Sequence, residues 1–82
     1  MFVVYVLKSC KFDKSYVGQT RDIVERFAQH NSEHKGYTNK YKPWYIIYLE
    51  RYLDREKAVK REKYLKSFSG RKFLKTIFSK YK

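Results

Sequence analysis

Tyr-Val-Gly-Gln-Thr-Arg-Asp-Ile-Val-Glu-Arg-Phe-Ala-Gln-His, residues Tyr16 to His30, changes its period part-way along. Ser15–Val17 reads as a short strand that Gly18 stops. Thr20 is a good helix N-cap, and Asp22 suits the positive end of the helix dipole. Ile23, Val24 and Phe27, with Ala28 at the edge, then form a helical apolar stripe. Arg26 and His30 are i, i+4 neighbours along one border of that stripe. The stretch is therefore a strand end turning into a helix that carries a cation and an imidazole.

Working outward, Phe2–Leu7 is a continuous apolar run. Phe2, Val4 and Val6 share one face and Val3, Tyr5 and Leu7 the other, as in a central strand covered on both sides. Lys8–Lys14 is polar apart from Phe12, so Phe2–Leu7 and Ser15–Val17 read as a β-hairpin. An even-length loop places Tyr5 and Tyr16 on the same face; a three-residue loop separates them. Even loops are the commoner choice. Downstream, the helix fades over Asn31–Lys35 and Gly36–Pro43 reads as a loop. Trp44–Leu49 reads as a third strand. Asp54 caps a helix reaching about Ser67, and Ser69 or Gly70 breaks the chain. A final amphipathic helix then buries Phe73, Leu74, Ile77 and Phe78.

The totals bound the class. The 82 residues allow one domain, 1–82, with a thin core. Nine Tyr and six Phe supply burial area from few positions. A lone Cys10 excludes an internal disulfide, lacks the neighbours of a zinc site, and makes a cytoplasmic location the default. The apolar start ends at Lys8, too short for a membrane span and without the basic flank of a signal peptide. Net charge is +12, and residues 51–82 carry 12 basic against 3 acidic side chains. Such a field draws polyanions, so nucleic acid is the expected partner rather than a membrane. The loop at 36–43 interleaves Tyr37, Thr38, Lys40 and Lys42 without an acid. That composition fits a phosphate backbone with nearby bases, or an ordinary solvated loop.

One carboxylate is out of place. On the Asp54–Ser67 helix, Glu62 falls between Ala58, Val59 and Leu65 in the apolar arc, while Lys57, Lys60 and Lys63 take the opposite half. A carboxylate there needs a compensating cation. It is either half of a structural ion pair or a metal ligand at a cleft floor. Mg²⁺ is often held by one carboxylate plus phosphates and water, and the scarcity of other acids disfavours a two-metal site. Taken singly, Tyr5 and Tyr16 fit core packing, and His30 fits a structural role. Their combination is the informative feature.

That combination resembles the GIY-YIG nuclease superfamily. Val3-Val4-Tyr5 stands for its first motif and Tyr16-Val17-Gly18 for its second, with ten residues between the tyrosines. Arg26, eight residues after Gly18, matches the catalytic arginine, and Arg26–His30 matches Arg-x-x-x-His. Glu62, in Ala-Val-Lys-Arg-Glu-Lys-Tyr-Leu-Lys, matches the metal-binding glutamate. Thr38 and Pro43, leading into an aromatic strand, look like the small stand-alone bacterial members. These are related to the N-terminal nuclease module of the excision-repair incision subunit. Two departures stand out: Val3 replaces the first-motif glycine, and the late asparagine of larger members has no match, Ser67 and Ser69 being the nearest polar residues.

The resemblance implies an α+β fold, a three-stranded antiparallel sheet flanked by three helices in the order β-β-α-β-α-α. It also implies hydrolysis of nucleic-acid phosphodiesters, DNA foremost and with a link to DNA repair, using one Mg²⁺ or Mn²⁺. By position, Glu62 holds the metal, Tyr5 or Tyr16 is the general base, Arg26 stabilises the pentacovalent phosphate, and His30 assists. A partner protein or a dimer supplies targeting in this picture. The charge asymmetry and the missing asparagine support an alternative, a nucleic-acid-binding module or adaptor with weak or no catalysis.

Overall fold

Strand β1 (Phe2–Ser9) lies at the centre of a three-stranded antiparallel sheet of order β2-β1-β3, between β2 (Ser15–Thr20) and β3 (Trp44–Tyr52). The computed structural model describes residues 1–32 and 36–80. Helix α1 (Ile23–Asn31) and the single turn α2 (Tyr37–Lys40) precede β3, and α3 (Arg55–Lys66) and α4 (Phe68–Lys80) follow it. The architecture is α+β as expected, with α2 added inside the stretch read as a loop.

The two faces of β1 divide the core as its alternation requires. Val4 and Val6 join Val17, Ala58, Leu65 and Leu74, so α3 and α4 cover this face. Val3, Tyr5 and Leu7 join Trp44, with Ile23 and Phe27 of α1 packed against them. Each fully buried aliphatic side chain here stabilises the fold by roughly 1.5–3 kcal/mol. Such a thin core depends on each of them.

The hairpin has the even loop that the face argument needed. Ser9 N–H donates to the Lys14 carbonyl at 2.9 Å, enclosing residues 10–13, and Ser9 Oγ accepts from the Lys11 and Phe12 amides. Tyr16 thereby opposes Leu7 and shares the face of Tyr5, while Gly18 lies directly opposite Tyr5. At the other end of α1, the Asn31 side chain bonds both the N–H and the carbonyl of Trp44, fixing the start of β3.

Several boundaries differ from the sequence reading. Gly18 does not stop β2, because Gly18 to Thr20 pair with Tyr5 to Val3 and the ladder carries the strand through. The helix therefore starts later, and its N-cap is Asp22, whose carboxylate accepts from Glu25 N–H, not Thr20. Thr20 Oγ1 instead accepts the Asp22 amide across the intervening turn. Val24 leaves the buried stripe and is exposed, while Ile23 and Phe27 are the residues of that stripe that pack against the sheet. The end of α1 is Asn31; residues 33–35 of the expected fading helix lie outside the described residues. β3 runs to Tyr52 rather than Leu49, following β1 to Phe2.

The chain breaks at Ser67, not at Ser69 or Gly70. Ser67 N–H and Oγ both donate to the Tyr64 carbonyl, closing α3, while its carbonyl accepts from Arg71 N–H. Gly70 sits inside α4, where a Cβ would collide with the Tyr64 carbonyl oxygen and Leu65 Cα. The glycine serves close helix contact, not a turn.

A half-buried carboxylate that the sequence reading passed over, Glu50, ties β3 to α3. Arg61 Nε and Nη2 donate to the two oxygens of Glu50 at 2.8 and 3.0 Å, and the Tyr48 and Tyr52 hydroxyls donate to it as well. Burial alone raises the Glu50 carboxyl, but the hydrogen bonds from Arg61, Tyr48 and Tyr52 outweigh it and hold it below its ordinary value. A lowered folded value stabilises the protein fully above the ordinary carboxyl value of 4.5, and that contribution is lost as pH falls through the lowered value. Glu50 is 16 % exposed, so water screens part of the pair. Glu50→Gln is expected to cost about 1–2 kcal/mol at neutral pH. Thermal melts of both proteins across pH 3 to 7 should show the gap closing at the acid end.

Candidate active site on the free edge of β2

Because β2 is an edge strand, side chains that reach past it meet solvent. Tyr5 reaches toward that edge from the middle of the sheet but stays buried. Its ring lies across Gly18, where a Cβ would stand 2.5 Å from the Tyr5 hydroxyl, 2.7 Å from Cζ and 3.0 Å from the Tyr16 ring. The absent side chain is thus the space in which the phenol sits. Gly18→Ala is expected to push the Tyr5 ring off its position at a cost of about 1–2 kcal/mol. A melting curve reads the loss, and a shifted Tyr5 ring resonance in NMR locates it.

Around Tyr5 the α1 residues close in. The Tyr5 hydroxyl and His30 Nε2 are 2.8 Å apart in a hydrogen bond whose direction follows the histidine tautomer. The Tyr16 ring centroid is 4.9 Å from that of His30 and 6.2 Å from that of Tyr5. Tyr5 is 2 % exposed and His30 is buried, whereas Tyr16 is only partly covered and borders a cleft of about 300 Å³. Burial raises the Tyr5 phenol well above its ordinary value of 10.0; Tyr16 and Glu62 push the same way, and Arg26 opposes them. Tyr5 is thus held as a neutral phenol.

Arg26 and Glu62 approach from opposite sides of the sheet, both near enough to act electrostatically on Tyr5. Arg26 is exposed and borders a second cleft, about 550 Å³, with Gln19, Arg21, Gln29 and Arg55. Glu62, on α3, accepts from Lys66 Nζ at 2.7 Å. Its side chain is 21 % exposed and that of Lys66 51 %. The structure therefore contains the ion pair that was the alternative to a metal ligand. An i, i+4 pair open to water on one side contributes only about 0.3–0.5 kcal/mol, less than a divalent cation gains from a carboxylate.

Among the described residues, no group of three or more His, Cys, Asp or Glu side chains is placed to hold an ion. A single, partly exposed carboxylate such as Glu62 fits a Mg²⁺ that takes its remaining ligands from phosphate and water.

The loop residues fare differently. Tyr37 borders the cleft beside Tyr16, with its hydroxyl donating to the Ser15 carbonyl at 3.0 Å. The Thr38 carbonyl accepts from Trp44 Nε1, Lys42 Nζ donates to the Ser32 carbonyl, and Lys40 lies over the Tyr41 ring. These three contacts shape the loop itself.

The motif order and this geometry agree with comparison to known proteins. A family model described as the GIY-YIG catalytic domain matches residues 1–76. The chain belongs to the GIY-YIG family. Within it, the chain is similar to UPF0213 proteins: 36 % identical over 75 residues to one from Staphylococcus saprophyticus, and 37 % over 76 residues to one from Staphylococcus haemolyticus. A Staphylococcus aureus UPF0213 protein is 32 % identical over 75 residues. Each alignment covers 90 % of both chains. No solved structure matches the chain. As a GIY-YIG protein it belongs to a nuclease-type family, and its two tyrosine motifs are the paired strands β1 and β2.

Proposed function

We propose that residues 1–82 form a single metal-dependent endonuclease domain that hydrolyses nucleic-acid phosphodiesters, DNA foremost, with one Mg²⁺ or Mn²⁺. The observation that supports this reading is the cluster of Tyr5, His30 and Tyr16 beside the edge strand, with Arg26 and Glu62 within electrostatic reach of Tyr5. Glu62 is the residue that would hold the metal, which would supply charge neutralisation at the scissile phosphate. Arg26 balances the charge that grows on the phosphate oxygens as water adds and the P–O bond to the leaving strand breaks. Tyr16, which borders the cleft, takes the water's proton, since Tyr5 is buried. Tyr5 and His30 brace each other and fix the imidazole beside Tyr16. A cytoplasmic location and a targeting partner or dimer complete the reading.

The experiment is cleavage of fluorescently labelled DNA, plain, flapped and branched, by the purified chain with Mg²⁺ or Mn²⁺. Cuts that require the metal and stop with a chelator support the reading. The Glu62–Lys66 ion pair favours a second reading, a binding module without catalysis. Salt-sensitive DNA binding with no cut under any metal would select it.

A further inference from the structure

The cleft beside Tyr16 does not end there. A second cleft, about 610 Å³, continues it past the hairpin, and Ser15, Tyr37, Arg71 and Leu74 border both. On α4, Arg71, Leu74, Lys75 and Phe78 recur at i, i+3, i+4 and i+7, so they share one face. Leu74 is buried in the core and Phe78 packs against it, which anchors that face to the sheet. Arg71 and Lys75 are exposed on either side of Leu74 and line the trough, with Lys14 of the hairpin lining its far part. Among the described residues that line the trough, the one acid, Asp13, is already bonded to Lys8 at 2.7 Å.

We propose that this trough carries the phosphate backbone of the substrate DNA on one side of the scissile phosphate, with Arg71 and Lys75 as positioning residues. The proposal rests on the nucleic-acid reading of the same site and adds the path of the strand. The cleft of Arg21, Arg26 and Arg55, which Asp22 and Glu25 also line, lies at the other end of β2, so basic side chains stand on both sides of Tyr16. The six residues of β2 span roughly 17–20 Å, which corresponds to about five or six steps of duplex DNA. A chain this small thus grips a few phosphates on each side of the cut. Exposed cations suit that task because backbone contacts position DNA without reading its sequence.

The test is binding of a fluorescein-labelled DNA duplex, followed by anisotropy in chelator so that nothing is cut, from about 50 to about 200 mM salt. Arg71→Gln with Lys75→Gln keeps two side-chain stems over the core. This pair of changes is expected to weaken binding roughly 10-fold or more and to make the salt slope shallower by about 2. Lys57→Ala with Lys60→Ala removes the same charge from exposed positions of α3 that line neither cleft. Its slope should change by less than half as much. Equal shifts in the two double variants, or none in the first, would overturn the proposal, with melting curves showing that both remain folded. Wild-type binding with the expected slope change but no cleavage would sink the enzyme reading and leave the DNA path standing.

Discussion

Glu62→Gln is expected to lower metal-dependent DNA cleavage by on the order of 10³-fold or more, about 4 kcal/mol in activation free energy. The size of the effect follows from how few acids the site has. Among the described residues no other cluster of ligating side chains can take over the ion, so a neutral amide at this position leaves phosphate and water as its remaining ligands. The stability effect should be small. The bond lost, to Lys66 across one helical turn, is half-exposed and contributes about 0.3–0.5 kcal/mol. For a domain of this length that is roughly 1–4 °C in Tm. A cleavage assay paired with a thermal melt therefore separates a metal ligand from a structural ion pair. If the glutamine variant cuts as well as the wild type, the assignment of Glu62 is wrong; if it melts far lower, the Lys66 pair is the residue's main role. Titration of Mn²⁺ by its paramagnetic broadening adds a readout that needs no turnover.

The fold was legible in the sequence where local pattern and tertiary packing agree. Phe2–Leu7 is apolar on both faces because α3 and α4 cover one and α1 the other, and alternation alone says so. The same-face relation of Tyr5 and Tyr16 needed only the parity of the hairpin loop. Boundaries were harder, because long-range pairing set them. Gly18 reads as a stop in isolation, yet the ladder to β1 carries β2 through it, and Thr20 loses the cap to Asp22 as a result. Val24 has helical spacing but faces solvent, since a helix lying on a sheet edge buries a stripe narrower than its apolar residues suggest.

The candidate site divides in the same way. Arg26 and His30 were legible because i, i+4 spacing is local. The use of Gly18 as room for a phenol was not, because the space belongs to Tyr5 on another strand. Nor was the inequality of the two tyrosines, which rests on burial. Glu50 carried a signal that went unread: Tyr48, Glu50 and Tyr52 alternate on one strand face, so an acid flanked at i±2 by phenols was visible before any coordinates. Its cation, Arg61, sits beside Glu62 in the sequence but turns to a different partner.

Gly70→Ala is the substitution expected to cost most in stability. The Cβ would fall on backbone, the Tyr64 carbonyl and Leu65 Cα, neither of which can swing away as a side-chain tip can. Relief requires α4 to lift off the last turn of α3. That motion cannot stay local, because Ser67 is the one residue between the helices and its backbone and hydroxyl bonds to Tyr64 set their angle. Lifting α4 also withdraws Leu74 from Val4, Val6 and Leu65, adding lost burial to the overlap. Overpacking of this kind costs about 1–3 kcal/mol, and a backbone clash belongs at the upper end. A domain of this length has roughly 4–12 kcal/mol in total, so about 3 kcal/mol lowers Tm by something like 12–24 °C. The damage should reach the trough as well, since Arg71 is the next residue and Lys75 one turn further on. DNA binding measured below the lowered Tm is expected to weaken along with stability. A variant that melts like the wild type would show that the two helices are not in the close contact described here.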